Sequence, residues 1–269
     1  MIDEIETSEK PRRGIYLLPN LFTTAALFSG FYAIVAAING RFEAAAVAIF
    51  IAMILDSVDG RVARLTNTQS AFGAEYDSLS DMVCFGVAPA LLMYKWSLFS
   101  LVSISNLLGK LGWLAAFVYT AATALRLARF NTQVGKVDKA YFQGLPSPSA
   151  AAVMAGFVWL CADYQFDGAS LVLPAWIITV FTGVLMVSQF RYYSFKSFDL
   201  KDRVPFITVP VIVLIFVLIS LDPPQMLFVI FLLYASSGPV WTLIQLRKRR
   251  AARLTTDNSE TNPPSEPLP

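Results

Sequence analysis

The chain has 269 residues, 56% hydrophobic and 15% charged, with a formal net charge of +2 and a mean hydropathy of +0.57. Soluble domains carry about 25% charged residues, so this balance excludes an ordinary soluble protein and points to one built in lipid. Histidine is absent, which excludes imidazole bases, His-based triads and His metal ligands; any acid–base or metal chemistry has to run on carboxylates, and all-oxygen ligation favours Mg²⁺, Mn²⁺ or Ca²⁺.

Residues 1–14 read as a polar tail containing Lys10, Arg12 and Arg13, and the apolar run after it is too long for a cleavable signal peptide. A first spanning helix is predicted over 15–38, with Pro19-Asn20 near its start. NGRF makes a tight loop before a second helix over 42–65. Residues 66–72 form a polar turn, and a third helix runs over 73–96. Further spans fall at 111–130, 146–161, 170–190, 204–221 and 225–246. The expected fold class is therefore an all-α integral membrane protein, a helical bundle of about eight transmembrane helices, with the transmembrane domain over 15–247. Residues 248–269 are first basic and then polar, with nothing to bury, and are expected to be disordered. Cys84 and Cys161 fall in apolar runs at different depths, which predicts packed thiols and no disulfide.

Basic residues near the span ends set the orientation. One set of loops holds Lys10, Arg12, Arg13, Lys136, Lys139, Arg191, Lys196, Lys201, Arg203, the run Arg247 to Arg250, and Arg253. The opposite set has little beyond Arg41 and Lys110 and includes the acidic DYQFD and LDPP loops. The first set is read as cytoplasmic, with both termini.

The stretch from 56 to 81, DSVDGRVARLTNTQSAFGAEYDSLSD, holds four aspartates and two glycines at helical spacing. Positions i, i+3, i+4 and i+7 share one face of a helix, so Asp56, Asp59, Gly60 and Ala63 present two carboxylates above a flat surface. Gly73, Asp77 and Asp81 repeat the idea at a spacing of four. Asp56 and Asp59 lie roughly 21–26 Å along the second helix, near the far boundary of a hydrocarbon core about 30 Å thick. The two helices form a hairpin with all four acids at its closed end, on the cytoplasmic side. An aspartate in mid-membrane costs roughly 2.5–3.5 kcal/mol, less near the interface. A single one often serves as a structural hydrogen-bonder, but four converging repel one another unless a cation sits between them. Carboxylates holding two divalent ions about 3.5–4 Å apart suit displacement at phosphorus, and Arg64 can meet a phosphate in planar geometry.

The pattern Asp-x2-Asp-Gly-x2-Ala-Arg-x8-Gly-x3-Asp-x3-Asp is met without a gap by Asp56, Asp59, Gly60, Ala63, Arg64, Gly73, Asp77 and Asp81. It resembles the signature of the CDP-alcohol phosphatidyltransferases. The resemblance implies a bundle of six or more helices, usually dimeric, that displaces CMP from a CDP-linked lipid or alcohol with the help of divalent metal, Mg²⁺ or Mn²⁺ with Ca²⁺ as an alternative, two ions per protomer. It implies that Asp56, Asp59, Asp77 and Asp81 share the metal sites, that Asp81 is also the general base, and that Gly60, Ala63, Arg64 and Gly73 accommodate the cytidine diphosphate. Asn20 and Thr23 in PNLFT look like the family's nucleotide-facing residues of helix one.

The acceptor is read elsewhere. RLARFN places Arg126 and Arg129 on one face with Asn131 beyond, and FQGLPSPSA offers Gln143, Gly144 and Ser147. An Arg pair with Asn and Gln suits a small zwitterion with a carboxylate, and both segments resemble those of the integral-membrane phosphatidylserine synthases within the family. That implies CDP-diacylglycerol and L-serine as substrates, a homodimer in a bacterial inner membrane with its site facing the cytoplasm, and no nucleic-acid partner. Two plainer readings stay open: Arg126 and Arg129 as positive-inside anchors, and SPSA as a helix start with Pro148 in its first turn. So do transfer to glycerol 3-phosphate or an inositol phosphate, and a cation transporter that uses the acids as its ion path. Transport predicts carboxylates or helix breaks near the bilayer midplane, whereas these acids cluster at one boundary.

Overall fold

The structure is a computed structural model and describes residues 17–133 (apart from 67 and 69), 141–193 and 208–261. The expected N-terminal tail up to residue 16, residues 262–269, and the basic residues Lys136, Lys139, Lys196, Lys201 and Arg203 lie outside the described residues.

Helices α1 (Leu17–Ile38) and α2 (Phe42–Leu65) form a tight antiparallel pair. The turn between them is closed by Gly40 at φ +74°, where a side chain would be strained, and by Arg41 N–H donating to Ala36 O at 2.9 Å. Such a six-to-one bond is the usual way a helix ends on glycine. Ala33, Ala36 and Ala37 of α1 and Ala45, Ala46, Ala48 and Ala52 of α2 are buried; small side chains let backbones approach closely in a membrane bundle. Ser29 Oγ crosses the seam to donate to Ala48 O at 2.8 Å.

Helix α3 (Ala71–Asp81) starts two residues before the expected Gly73 because Ser70 caps it, its Oγ accepting from Gly73 N–H at 3.0 Å. It does not continue as one α-helix to residue 96. A π-helical segment, Met82–Val87, follows Asp81, with Ala88 N–H reaching back five residues to Val83 O, before α4 (Ala88–Trp96) resumes. Phe85 O in this widened turn accepts from the buried Tyr119 hydroxyl at 2.9 Å. The π segment lies so close to α1 that a Cβ on Gly30 would stand 2.6 Å from Cys84 Sγ and 3.0 Å from Cys84 Cα. Overpacking of this kind costs about 1–3 kcal/mol. Gly30→Leu is therefore expected to lower the melting temperature of the detergent-solubilised protein by several degrees, a shift that thermal unfolding would register. Both cysteines are free and buried.

A short α5 (Leu101–Ile104) leads into α6 (Asn106–Gln133), which begins earlier than the expected residue 111 because Ser105 Oγ accepts from Leu107 N–H at 3.2 Å. After α6 comes a three-residue strand β1 (Tyr141–Gln143), then α7 (Ser147–Asp163), α8 (Val172–Val187) and strand β2 (Arg191–Tyr193). The strands pair antiparallel, Gln143 opposite Arg191. This ribbon is the one departure from an otherwise helical fold among the described residues, and strands of three residues leave too little alternation to see in a sequence. Helix α9 (Thr208–Leu221) and the long α10 (Pro223–Thr261) complete the fold. Helix α10 carries on through the basic segment and into the polar stretch for which the sequence suggested disorder. It packs on α7, where Gly156 lets the backbone of Phe228 come near: a Cβ there would lie 3.1 Å from Phe228 Cα.

By length and composition, four helical stretches can cross a membrane: Pro19–Ile38, Asn106–Thr132, Gly168–Val187 and Pro223–Gln245. A fifth is added if Ala71–Trp96 and Leu98–Ile104, bent by 50°, count as one span. Helix α2 is not among them, since it carries Asp56, Asp59, Arg61 and Arg64 in its last turns, and α7 and α9 have only 17 and 14 described residues.

Candidate active site

The closed end of the α2–α3 hairpin gathers the acidic residues. One carboxylate oxygen each from Asp56, Asp59 and Asp77 lies within 4.8 Å of the others. Asp59 is buried, 4% exposed, and is held from α1, whose Thr23 Oγ1 donates to Asp59 Oδ2 at 2.7 Å. Asp81 is not one of that set of three. Its carboxyl neighbours Asp56 at hydrogen-bonding range and stands within electrostatic reach of Asp77 and of Arg126. Its Oδ1 is buried with no hydrogen-bond partner among the described residues. Carboxylates packed this closely repel unless cations or protons lie among them. The all-oxygen donor set and its convergence fit a hard divalent cation.

The acidic helix is stitched to α1 by Ser80 Oγ, which donates to Thr23 O at 3.3 Å, and by the Thr24 and Tyr76 hydroxyls 3.0 Å apart, and the π segment after it by Cys84 Sγ, which donates to Ala26 O at 3.2 Å. Beside the acids, Gly60 faces outward, with no atom within 4 Å of where a Cβ would sit. Ala63 is half-buried and Arg64 exposed on the same end of α2, with Arg64 Nε donating to Gly60 O at 2.9 Å. A Cβ on Gly73 would lie 3.5 Å from Asn20 Oδ1, so Asn20 and Gly73 meet across the α1–α3 contact. Thr23, expected to face a nucleotide, is buried against Asp59 and orients that carboxylate.

A hydrogen bond to a charged group contributes about 1.5–3 kcal/mol. Thr23→Val is thus expected to lower turnover at this site by one to two orders of magnitude, and Thr23→Ser to restore it. Steady-state kinetics on the two variants would separate loss of the hydroxyl from loss of shape.

Within electrostatic reach of Asp81, the Arg126 side chain of α6 extends to the start of α7. Arg126 Nη1 donates to Ser147 Oγ at 2.8 Å, and Arg126 Nε is buried with no hydrogen-bond partner among the described residues. Ser147 is buried at the first position of α7 with Pro148 next, so the helix start and the contact to Arg126 coexist. The other residues singled out for the acceptor are dispersed. Arg129 Nη1 donates to Val187 O at 3.2 Å. Asn131 Nδ2 donates to Ser78 Oγ at 3.0 Å, tying α6 to the acidic helix. Gln143 is exposed on the ribbon. Gly144 is buried at φ +79° with its backbone against Met186 O, a position where only glycine fits.

The sequence profile described as CDP-alcohol phosphatidyltransferase matches residues 16–187. A CDP-diacylglycerol–serine O-phosphatidyltransferase of Helicobacter pylori is 36% identical over 239 residues, which is 88% of this chain and 96% of that protein. A protein of the same description from Mycobacterium leprae is 30% identical over 240 residues, 86% of this chain and 76% of the relative. The archaetidylserine synthase of Methanothermobacter thermautotrophicus is 35% identical over 188 residues, 69% of this chain and 73% of the relative. With the profile running from the start of α1 to the end of α8 and enclosing the whole acidic hairpin, the chain belongs to the CDP-alcohol phosphatidyltransferase family.

Proposed function

We propose that this protein transfers the phosphatidyl group of CDP-diacylglycerol to L-serine, giving phosphatidylserine and CMP. The observation that carries the reading is the convergence of the Asp56, Asp59 and Asp77 carboxylates within 4.8 Å, with Asp81 within electrostatic reach of the Arg126 that Ser147 holds. One side of Asp81 is suited to a diphosphate, the other to a small acceptor with a carboxylate. The descriptions of the Helicobacter and Mycobacterium relatives support the same acceptor.

In this reading the divalent ions, two per protomer and Mg²⁺ or Mn²⁺, are held by Asp56, Asp59, Asp77 and Asp81. Bound there, they supply neutralisation of phosphate oxygens and stabilisation of the departing CMP. Gly60, Ala63 and Gly73 leave room for the cytidine diphosphate, Asn20 faces it, and Arg64 binds its phosphates. Arg126 receives the serine carboxylate, with Ser147 fixing the guanidinium. Asp81 takes the proton from the serine hydroxyl as that oxygen attacks the lipid-linked phosphorus. A single direct displacement is the course expected, since no other obvious nucleophile sits in the motif. A phosphorylated acceptor would call for a denser set of cations than this, because Arg129 is turned to Val187 O.

The helices α1, α2, α3 with α4, α6, α7, α8, α9 and α10 cross the membrane eight times, with both termini and the acidic end of the hairpin in the cytoplasm. The protein works as a homodimer in a bacterial inner membrane. Purified protein given CDP-diacylglycerol should release CMP only when L-serine is added, lose that activity in EDTA, and regain it with Mn²⁺ or Mg²⁺. Equal or faster release with glycerol 3-phosphate or inositol phosphate would overturn the choice of acceptor.

A further inference from the structure

The widened turn after Asp81 has a cause in the sequence. At α-helical spacing the donor to Phe85 O would be the N–H of residue 89, and residue 89 is proline. Proline has no N–H, and its ring crowds the carbonyl four residues earlier. The helix widens there into the π segment Met82–Val87, and Phe85 O is denied its usual partner. In a membrane bundle a carbonyl freed in this way is met from a neighbouring helix. Helix α6 supplies the donor, the buried Tyr119 hydroxyl reaching Phe85 O at 2.9 Å.

Tyr119, Thr123 and Arg126 follow one another at i, i+4 and i+7 on one face of α6. A Cβ on Gly86 would stand 3.2 Å from Thr123 Cγ2, so this face lies close against the widened turn. Farther along α6, Asn131 Nδ2 donates to Ser78 Oγ at 3.0 Å. Helix α6 thus holds the helix of Asp81 at two points, Ser78 three residues before that aspartate and Phe85 four residues after it. The first is an exposed pair of side chains, for which water can substitute. The second is buried and fastens the backbone itself. The same face of α6 carries Arg126, tied by Nη1 to Ser147 Oγ.

We propose that Tyr119 is a positioning residue for Asp81: by holding Phe85 O, its hydroxyl fixes the widened turn in the register that sets the Asp81 carboxylate relative to Arg126 on the same helix α6. This rests on the reading of Asp81 as the base, given above. Without the hydroxyl the turn can slide along the chain, and the direction of Asp81 turns with it.

The test is steady-state kinetics and thermal unfolding of the detergent-solubilised full-length protein, with CDP-diacylglycerol and L-serine. Tyr119→Phe removes only the hydroxyl, and kcat should fall about ten- to a hundredfold, the effect of misplacing a reacting group by about 1 Å. The KM for CDP-diacylglycerol should stay within about twofold of wild type, since lipid binding is not what changes. An unchanged kcat overturns the proposal. In an Asp81→Asn background, Tyr119→Phe should alter the remaining rate by less than about twofold, because residues that act through one another are not additive. A second loss of similar size there overturns the proposal. Pro89→Ala gives Phe85 O a backbone donor, so Tyr119→Phe combined with Pro89→Ala should unfold at the wild-type temperature while kcat stays low. If kcat returns, Tyr119 does no more than satisfy a carbonyl, and the proposal falls. This double variant also decides the matter if Tyr119→Phe alone does not fold. A wild-type protein that prefers another alcohol overturns the choice of serine and not the role of Tyr119, which is then measured with that alcohol. An Asp81→Asn protein that works at the wild-type rate ends the base reading and this one together.

Discussion

Asp81→Asn is expected to cut serine-dependent CMP release by about 10²–10⁴-fold, the usual contribution of a positioned general base. The substitution keeps the shape of the side chain and removes its ability to take a proton. The prediction follows from where Asp81 stands: outside the set formed by Asp56, Asp59 and Asp77, beside Asp56, and toward Arg126. A residue acting only as a metal ligand would, once changed to Asn, weaken ion binding, and a higher Mn²⁺ concentration would recover the rate. A lost base is not recovered that way. Measuring the rate against Mn²⁺ concentration for Asp81→Asn and for Asp77→Asn separates the roles: the Asp77 variant should climb toward the wild-type rate with added ion, whereas the Asp81 variant, ligand and base at once, should level off far below it. Recovery of the Asp81 variant would move proton transfer to another group.

The second large effect is expected at Arg126. Arg126→Ala should raise the KM for L-serine by about 10²-fold, since a charge-assisted hydrogen bond to a carboxylate contributes about 1.5–3 kcal/mol. The KM for CDP-diacylglycerol should change little. Arg126→Lys is not expected to rescue it. Arg126 already uses Nη1 on Ser147 Oγ and still has Nε directed into the buried space, a planar fork that an ammonium on a flexible stem cannot reproduce. Titrating serine against each variant gives the answer, and a lysine variant with wild-type affinity would mean that charge alone, without geometry, holds the acceptor.

Local spacing made the acidic hairpin readable. Asp56 and Asp59, or Asp77 and Asp81, sit three or four residues apart, and a helix turns that separation directly into a shared face. The pairing of Arg126 with Ser147 was visible only as two segments with suitable chemistry; their contact depends on how α6 and α7 are both placed against α4 and α8. Thr23 shows the limit most clearly. Its place in PNLFT suggested a ligand contact, whereas its hydroxyl is committed to Asp59 Oδ2, a residue on another helix. The break in the third helix left no trace in hydrophobic period, because residues 82–94 are apolar almost throughout and show no polar face whose phase could shift. Asp56, Asp59, Arg61 and Arg64 make α2 less apolar than the helices long and apolar enough to cross a membrane.

The widened turn at Met82–Val87 has a bearing on how the site tolerates change. A π turn holds one residue more than the α turn it replaces, and one residue is worth about 100° of rotation around a helix axis. The azimuth of α4 is thereby offset from that of α3. The face that α4 buries through Ala88, Ala90, Leu92 and Met93 is set at a different angle from the one an unbroken helix would carry on from Asp77 and Asp81, so shortening the turn by one residue would swing that face relative to the two aspartates.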